Sequence, residues 1–386
     1  MKNNTLWASA LMLMVFACGS KPEQESEPKA EYLTQFRSYT IDREAPKKKF
    51  AELIDKVHIV KLEETDESLI GNVFNLKILN DMMVFPDTNE KALMFFNSKG
   101  EFLNKLKRPG EGPEEYSEIW GFWMSGDTVK IYDQDNSEIL SYTQEGEYLA
   151  SEKLQYNAMH VYQQEDGYWL DVSHRIQMDS VKAELVHLNR QFKNPDYYLP
   201  YENLMGFPIY STISSFNQVG NTFTYKQILS DTVFMVESDT VRPLINLNFG
   251  DDYLWSSGEL RKNGEKAMSM IQEAGKVWIV NTWIGPKYIY FNYNTSFSES
   301  FRMILDRETG AMFNLDTQKT PEERMTLLVN GWIGDEMLVG IGSLDLVDLL
   351  EDLDESQYTF EEGSSLSEIE SSENPAMMFV KFKNEF

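Results

Sequence analysis

The strongest constraint on this chain is that it repeats itself. Residues 80–103 reappear 46 positions later, with Asp81, Asp87, Gly100, Glu101 and Leu103 aligned to Asp127, Asp133, Gly146, Glu147 and Leu149. Phe85 aligns with Ile131, and Phe102 with Tyr148. Each copy reads as a short strand ending in Asp, a polar turn, a second strand, a turn at Lys99-Gly100-Glu101 or Glu145-Gly146-Glu147, and a third strand. Gly suits that turn because tight hairpins often need positive φ. A second repeat matches Val280-Asn281-Thr282-Trp283-Ile284-Gly285 to Val329-Asn330-Gly331-Trp332-Ile333-Gly334, 49 residues later, and Trp123-Met124-Ser125-Gly126-Asp127 is a looser third copy. Periods of this size, with about four short strands each, are those of propeller blades. Helical repeats of similar length would carry a 3.6-residue period, whereas these segments alternate or run apolar between Gly, Asn, Asp and Pro.

Openings of a first-and-second strand pair fall near residues 73, 119, 158, 213, 278 and 331, which makes six blades. The chain has 386 residues, 42% of them apolar, enough to bury a core on that scale. The expected fold is therefore an all-β, six-bladed β-propeller over residues 41–386, with helical and acidic insertions in the late blades. Residues 251–274 carry Leu254, Leu260, Ala267, Met268 and Ile271 at helical spacing. Residues 343–373 hold eleven acidic residues and no basic one; their first half is helix-like and the rest reads as a solvated, mobile flap. The sixth blade lacks a fourth strand. Val57-His58-Ile59-Val60-Lys61-Leu62 is β-prone, and pairing it there would close the ring and protect open edges.

The N-terminus has one charge, Lys2, and then an apolar run over residues 6–17, too short to span a bilayer as a helix. The run ends at Val15-Phe16-Ala17-Cys18, and Cys18 is the only cysteine, so no intrachain disulfide can form. Residues 18–40 open on an acidic, proline-containing stretch without apolar residues and are expected to be a flexible tether. The formal net charge of −27 argues against nucleic acid and against docking on anionic lipid through a basic patch.

Val15-Phe16-Ala17-Cys18 resembles the lipobox of bacterial lipoproteins, with residues 1–17 as signal peptide and Cys18 as the lipidated residue. Gly19 is not Asp, so the usual inner-membrane retention signal is absent, and the acidic stretch resembles a surface-export signal. Three further features join it: the repeated strand–Asp–turn–Gly-Glu unit, the loop Arg108-Pro109-Gly110-Glu111-Gly112-Pro113-Glu114-Glu115-Tyr116, and Asp231-Thr232-Val233-Phe234 with Asn374-Pro375 before the last strand. Together they resemble the six-bladed β-propeller lipoproteins of diderm bacteria, a group related to NHL-repeat propellers. The resemblance implies a fold and an extracytoplasmic, outer-membrane address, with the membrane reached through the lipid on Cys18. It implies little chemistry, since one fold hosts many functions.

The residues offer few marks of catalysis. No Gly-x-Ser-x-Gly elbow, phosphate loop or dinucleotide fingerprint is present. His58, His160, His174 and His187 lack close zinc-ligand spacing, and His58 and His187 read as ordinary strand residues. Asp133-Gln134-Asp135-Asn136-Ser137-Glu138 suggests a calcium loop only superficially; it occupies the turn position of Asp87 and reads as a polar hairpin. No cofactor is expected. Calcium could at most bind loosely in the acidic 343–373 insertion.

The candidate binding residues are Arg108, Glu111 and Tyr116 of the Gly/Pro loop, and Trp120, Trp123, Trp283 and Trp332 near blade starts. A tryptophan on a first strand faces the central channel, where it could stack on a ligand; the competing reading is a wedge between blades. The expected function is non-catalytic binding or scaffolding of a glycan, a peptide or an envelope protein. The alternative is a channel-mouth lyase, lactonase or hydrolase of NHL-like type.

Overall fold

The computed structural model describes residues 34–173, 182–201, 209, 211–219, 222–237, 239–256, 258–320 and 323–385. Six sheets follow one another along the chain, and in the first five the four inner strands run in sequence order from the axis outward. Blades 1 to 5 occupy residues 77–106, 121–153, 160–200, 216–248 and 279–316. Blade 6 combines Leu327–Ile333, Glu336–Ile341 and Ala376–Phe382 with the N-terminal strand Ile54–Lys61. The expected six-bladed β-propeller is therefore the fold, and it closes where the sequence pattern placed the seal: Met378 pairs with Ile59 and Val380 with Val57 in antiparallel register.

The repeat works through turn chemistry. In blades 1 and 2 the third turn places Gly100 at φ 83° and Gly146 at φ 86°. The amides of Asn97 and Thr143, which open these turns, donate to the carbonyls of Glu101 and Glu147 at 2.9 and 2.8 Å. Each copy then carries an aromatic pair across the strands, Phe96 on Phe102 and Tyr142 on Tyr148, beside a bulge in the same place. The conserved spacing of Asp87 and Asp133 has a local cause as well. Both are buried at the end of a second strand, where a carboxylate oxygen accepts the turn's backbone N–H groups: Asn89 at 2.8 Å, Asn136 at 3.3 Å.

The apolar residues form six clusters, one at each junction between consecutive blades. Blades 1 and 2 meet through Phe95, Tyr116, Phe122 and Tyr142, and blades 6 and 1 through Val60, Val73, Phe96 and Met377. Each blade is thus covered on both faces. That is why Met83-Val84-Phe85 and Leu93-Met94-Phe95-Phe96 are buried without alternation, as in any sheet with no solvent face.

Two expectations are corrected. The tether does not extend to residue 40: Arg37–Thr40 is a strand lying parallel to the outer strand of blade 4, with Tyr39 buried and its hydroxyl donating to the Arg307 carbonyl at 2.7 Å. Lys47–Lys49 then runs parallel to the outer strand of blade 5. Residues 37–61 form a belt across blades 4, 5 and 6. The second half of the acidic insertion is not a loose flap either. Tyr358–Phe360 adds a fifth strand to blade 6, parallel to Ile54–Lys61, and the helix Leu366–Glu370 buries Ile369. Three apolar side chains among the acids, Tyr358, Phe360 and Ile369, pack on the blade 5–6 core and tie the segment down. The helices expected over residues 251–274 are present, with Leu260, Ala267 and Ile271 buried.

Candidate functional site

The innermost strands surround a cavity of about 1640 Å³ lined by residues of all six blades. Strand register defines its levels. Lys77, Trp123, Tyr162, Asn217 and Trp283 each pair with the residue seven positions later, so they stand at one height in blades 1 to 5. In blade 6 a bulge beyond Val329 brings Gly331 to that height and Trp332 just past it. All seven line the cavity. Aromatic rings dominate the wall at this level, with the Asn217 amide among them and the Gln163 amide one residue past it.

One end of the channel is bridged. Asn75 Nδ2 donates to the Thr212 carbonyl at 2.7 Å, joining the entry of blade 1 to the entry of blade 4 across the ring. Ile213 and Ser214 form part of the cavity lining beside this bridge. His160 secures the same segment at both ends: Nδ1 lies 2.9 Å from Ser215 Oγ, and Nε2 lies 3.1 Å from the Ser211 carbonyl. Asp171, fully buried, receives the hydroxyls of Ser215, Ser173 and Tyr225. Burial pushes its carboxyl up, but the approach of His160 and the hydroxyl donors outweigh this and hold it below the usual range. This group contains Ser, His and Asp in the wrong order for a nucleophile. Ser215 lies between the other two, and both His160 nitrogens are occupied, so the arrangement anchors the channel floor.

Further out between blades 3, 4 and 5, burial raises Glu184 to about 7 and lowers Lys226 to about 7. Lys226 Nζ donates to the carbonyls of Gln227 and Val280, at 3.2 and 2.5 Å, which stitches blade 4 to blade 5. Glu184 accepts from Gln227 Nε2 at 3.1 Å.

The expected binding residues separate into two sets. Trp123, Trp283 and Trp332 reach the channel wall, and they also wedge blades. The Trp332 indole donates to the Trp283 carbonyl at 3.0 Å, and the Trp123 indole donates to Gln163 Oε1 of the next blade. Arg108, Glu111, Tyr116 and Trp120 lie on the connection from blade 1 to blade 2, away from the cavity lining. There Tyr116 is fully buried; its hydroxyl donates to the Lys91 and Leu106 carbonyls, and burial pushes it up to about 12. Arg108 Nε donates to the Gly146 carbonyl at 3.1 Å, Glu111 is exposed, and Trp120 packs against the blade 2–3 core. Cys18 and His174 lie outside the described residues. His58 sits on the closing strand of blade 6, between Phe379 and Thr359 and 3.1 Å from Glu361 Oε2, and His187 packs on Trp169.

Lys77 is the channel residue that sequence reading missed. Its Nζ donates to the Phe122 carbonyl at 2.7 Å and sits 4.6 Å from the centre of the Phe122 ring. Burial lowers its pKa to about 8. The repeat alignment begins at residue 80, three positions later; extending it through the seven-residue register would have placed Lys77 level with Trp123.

Among the described residues, no three His, Cys, Asp or Glu side chains are grouped to hold a metal ion. No curated protein matches the sequence. The chain is similar in structure to a Bacteroides fragilis protein whose name proposes export, with 19% identity, a TM-score of 0.70, and coverage of 91% of this chain and 99% of that one. A member of the DUF4221 family from Bacteroides vulgatus matches at 12% identity and a TM-score of 0.51, covering 86% and 97%. Both share the fold. A family model spans residues 38–381, from the first belt strand to the last strand of blade 6, and the chain belongs to that family, the domain of unknown function DUF4934.

Proposed function

We propose that this chain is a non-catalytic binding protein whose central channel holds a glycan, and that a lipid on Cys18 anchors it outside the cytoplasm. The observation carrying this reading is the chemistry of the channel wall. A cavity of about 1640 Å³ has Trp123, Tyr162, Trp283 and Trp332 beside Gln163 and Asn217. Aromatic faces stack on the C–H faces of sugar rings, and amides both donate to and accept from hydroxyls. The volume exceeds the roughly 300–1,000 Å³ typical of small-molecule pockets and suits several sugar units. The wall is held by paired strands and by wedging tryptophans, so little entropy is lost on binding. The apolar run before Cys18 and the acidic stretch after it support the address, and a structural relative named for export agrees with it.

A panel of immobilised glycans probed with the full chain in detergent tests the channel reading. Retention on a chemically related subset, lost in Asn217→Leu, is expected. Retention on none of them would turn the assignment toward a peptide or an envelope protein partner.

A further inference from the structure

We propose that Lys77 receives the carboxylate of an acidic sugar, so that the channel selects uronic-acid-type glycans over neutral ones. The proposal rests on the glycan reading above and specifies its ligand class.

Lys77 stands on the first residue of the inner strand Lys77–Leu79, level with Trp123, Tyr162 and Trp283. Among the described residues no carboxylate lies within ion-pair distance of its Nζ. The ammonium has three donors, and the Phe122 carbonyl takes one at 2.7 Å. Two remain for a ligand in the cavity that Lys77 lines. A half-buried cation without a counter-charge is costly, and a ligand anion that supplies one gains more there than it would in water. A monoanion matches the single charge; a phosphomonoester dianion would leave one charge uncompensated between aromatic walls.

The rim charges nearly balance: Glu237 is paired with Arg242 at 3.2 Å, and Arg190 offsets one of Glu165 and Asp166, which leaves one net negative charge at the opposite end of the inner strand from Lys77. The net charge of −27 is spread over the whole surface and is screened beyond about 8 Å at physiological salt.

The test compares a trisaccharide carrying a single uronic-acid unit, glucuronosyl-xylobiose, with its carboxyl-reduced neutral counterpart, by calorimetry on the full chain in detergent. Wild type is expected to bind the acidic trimer about ten- to hundred-fold more tightly. Lys77→Met, which keeps an unbranched side chain against Phe122, is expected to bind both equally, and an unchanged circular-dichroism spectrum and urea midpoint report an intact fold. Lys77→Arg is expected to restore the preference. Equal affinities in wild type, or a preference that survives in Lys77→Met, would overturn the role of Lys77 while leaving the channel a glycan site. Failure of both trimers to bind also overturns it, and the immobilised panel then shows separately whether the channel takes glycans at all.

Discussion

Asn75 and Thr212 are hydrogen-bonded at 2.7 Å across the middle of the ring, although 137 residues separate them in the chain. The bond ties opposite blades together at one end of the channel. Asn75 also sits at φ 53°, in the left-handed region that Asn tolerates better than most residues. The two roles can be separated. Asn75→Gly removes the donor and keeps the backbone freedom, whereas Asn75→Ala loses both. Both variants should speed amide hydrogen exchange at Ile213 and Ser215, and Asn75→Ala should cost about 1 kcal/mol more in thermal or urea unfolding. Unchanged exchange in both would show that the floor is held by His160 alone.

Gly285 is expected to tolerate no side chain. A Cβ there would lie 2.5 Å from Cδ2 of the Trp332 indole, which fills the space between blades 5 and 6. Gly285→Ala should therefore destabilise the protein by about 1–3 kcal/mol through overpacking. The urea midpoint should fall at unchanged slope. In a Trp332→Ala background the same substitution should cost much less, and equal costs in both backgrounds would refute the clash.

Lys226 makes stability depend on pH in a predictable direction. Its folded pKa of about 7 lies below the ordinary lysine value of 10.5. Between those values the unfolded chain holds a proton that the folded one lacks, so its contribution to stability rises with pH. Melting temperatures should climb from pH 7 to pH 9, and the full effect is a few kcal/mol, at about 1.4 kcal/mol per unit. Lys226→Met should flatten most of this slope and leave a smaller part due to Lys77, lowered to about 8. Glu184, raised to about 7, acts the opposite way below neutrality: its contribution falls as pH rises from about 4.5 to 7. A wild-type slope that persists in full in Lys226→Met would place its origin elsewhere.

Cys18 should carry the membrane anchor. Growth with a clickable fatty-acid probe is expected to label the wild-type chain and not Cys18→Ala, which should also move to the soluble fraction. Persistent labelling of the variant would remove the lipidation assignment.

Much of the architecture was written in local patterns. The inner strands begin at residues 77, 121, 160, 216, 279 and 327, close to the openings that the 46- and 49-residue repeats suggest. The closing strand was legible because an isolated β-prone run stood opposite a blade one strand short. The belt strand Arg37–Thr40 was not, because its polar composition hides the single buried Tyr39. Tyr358–Phe360 was hidden in the same way by surrounding acids. The site was less legible than the fold. Trp123, Trp283 and Trp332 could be found because they recur at matched positions. The Arg108–Tyr116 loop drew attention through its Gly and Pro, yet Tyr116 serves the blade 1–2 core. The floor built by Asn75, His160 and residues 211–215 depends on contacts 51 to 137 residues apart, and no local pattern encodes such a meeting.

The seal between Ile54–Lys61 and Ala376–Phe382 also sets a timetable. The early strand leaves the ribosome more than 300 residues before its partner does, with Ile54, Val57 and Ile59 destined for full burial but still uncovered. Blades 1 to 5 can assemble in the order in which they arrive outside the cytoplasm, but the circle cannot lock until the last strand is there. Folding of the whole is therefore expected to be slow and post-translational, with the waiting strand as the segment most in need of a chaperone.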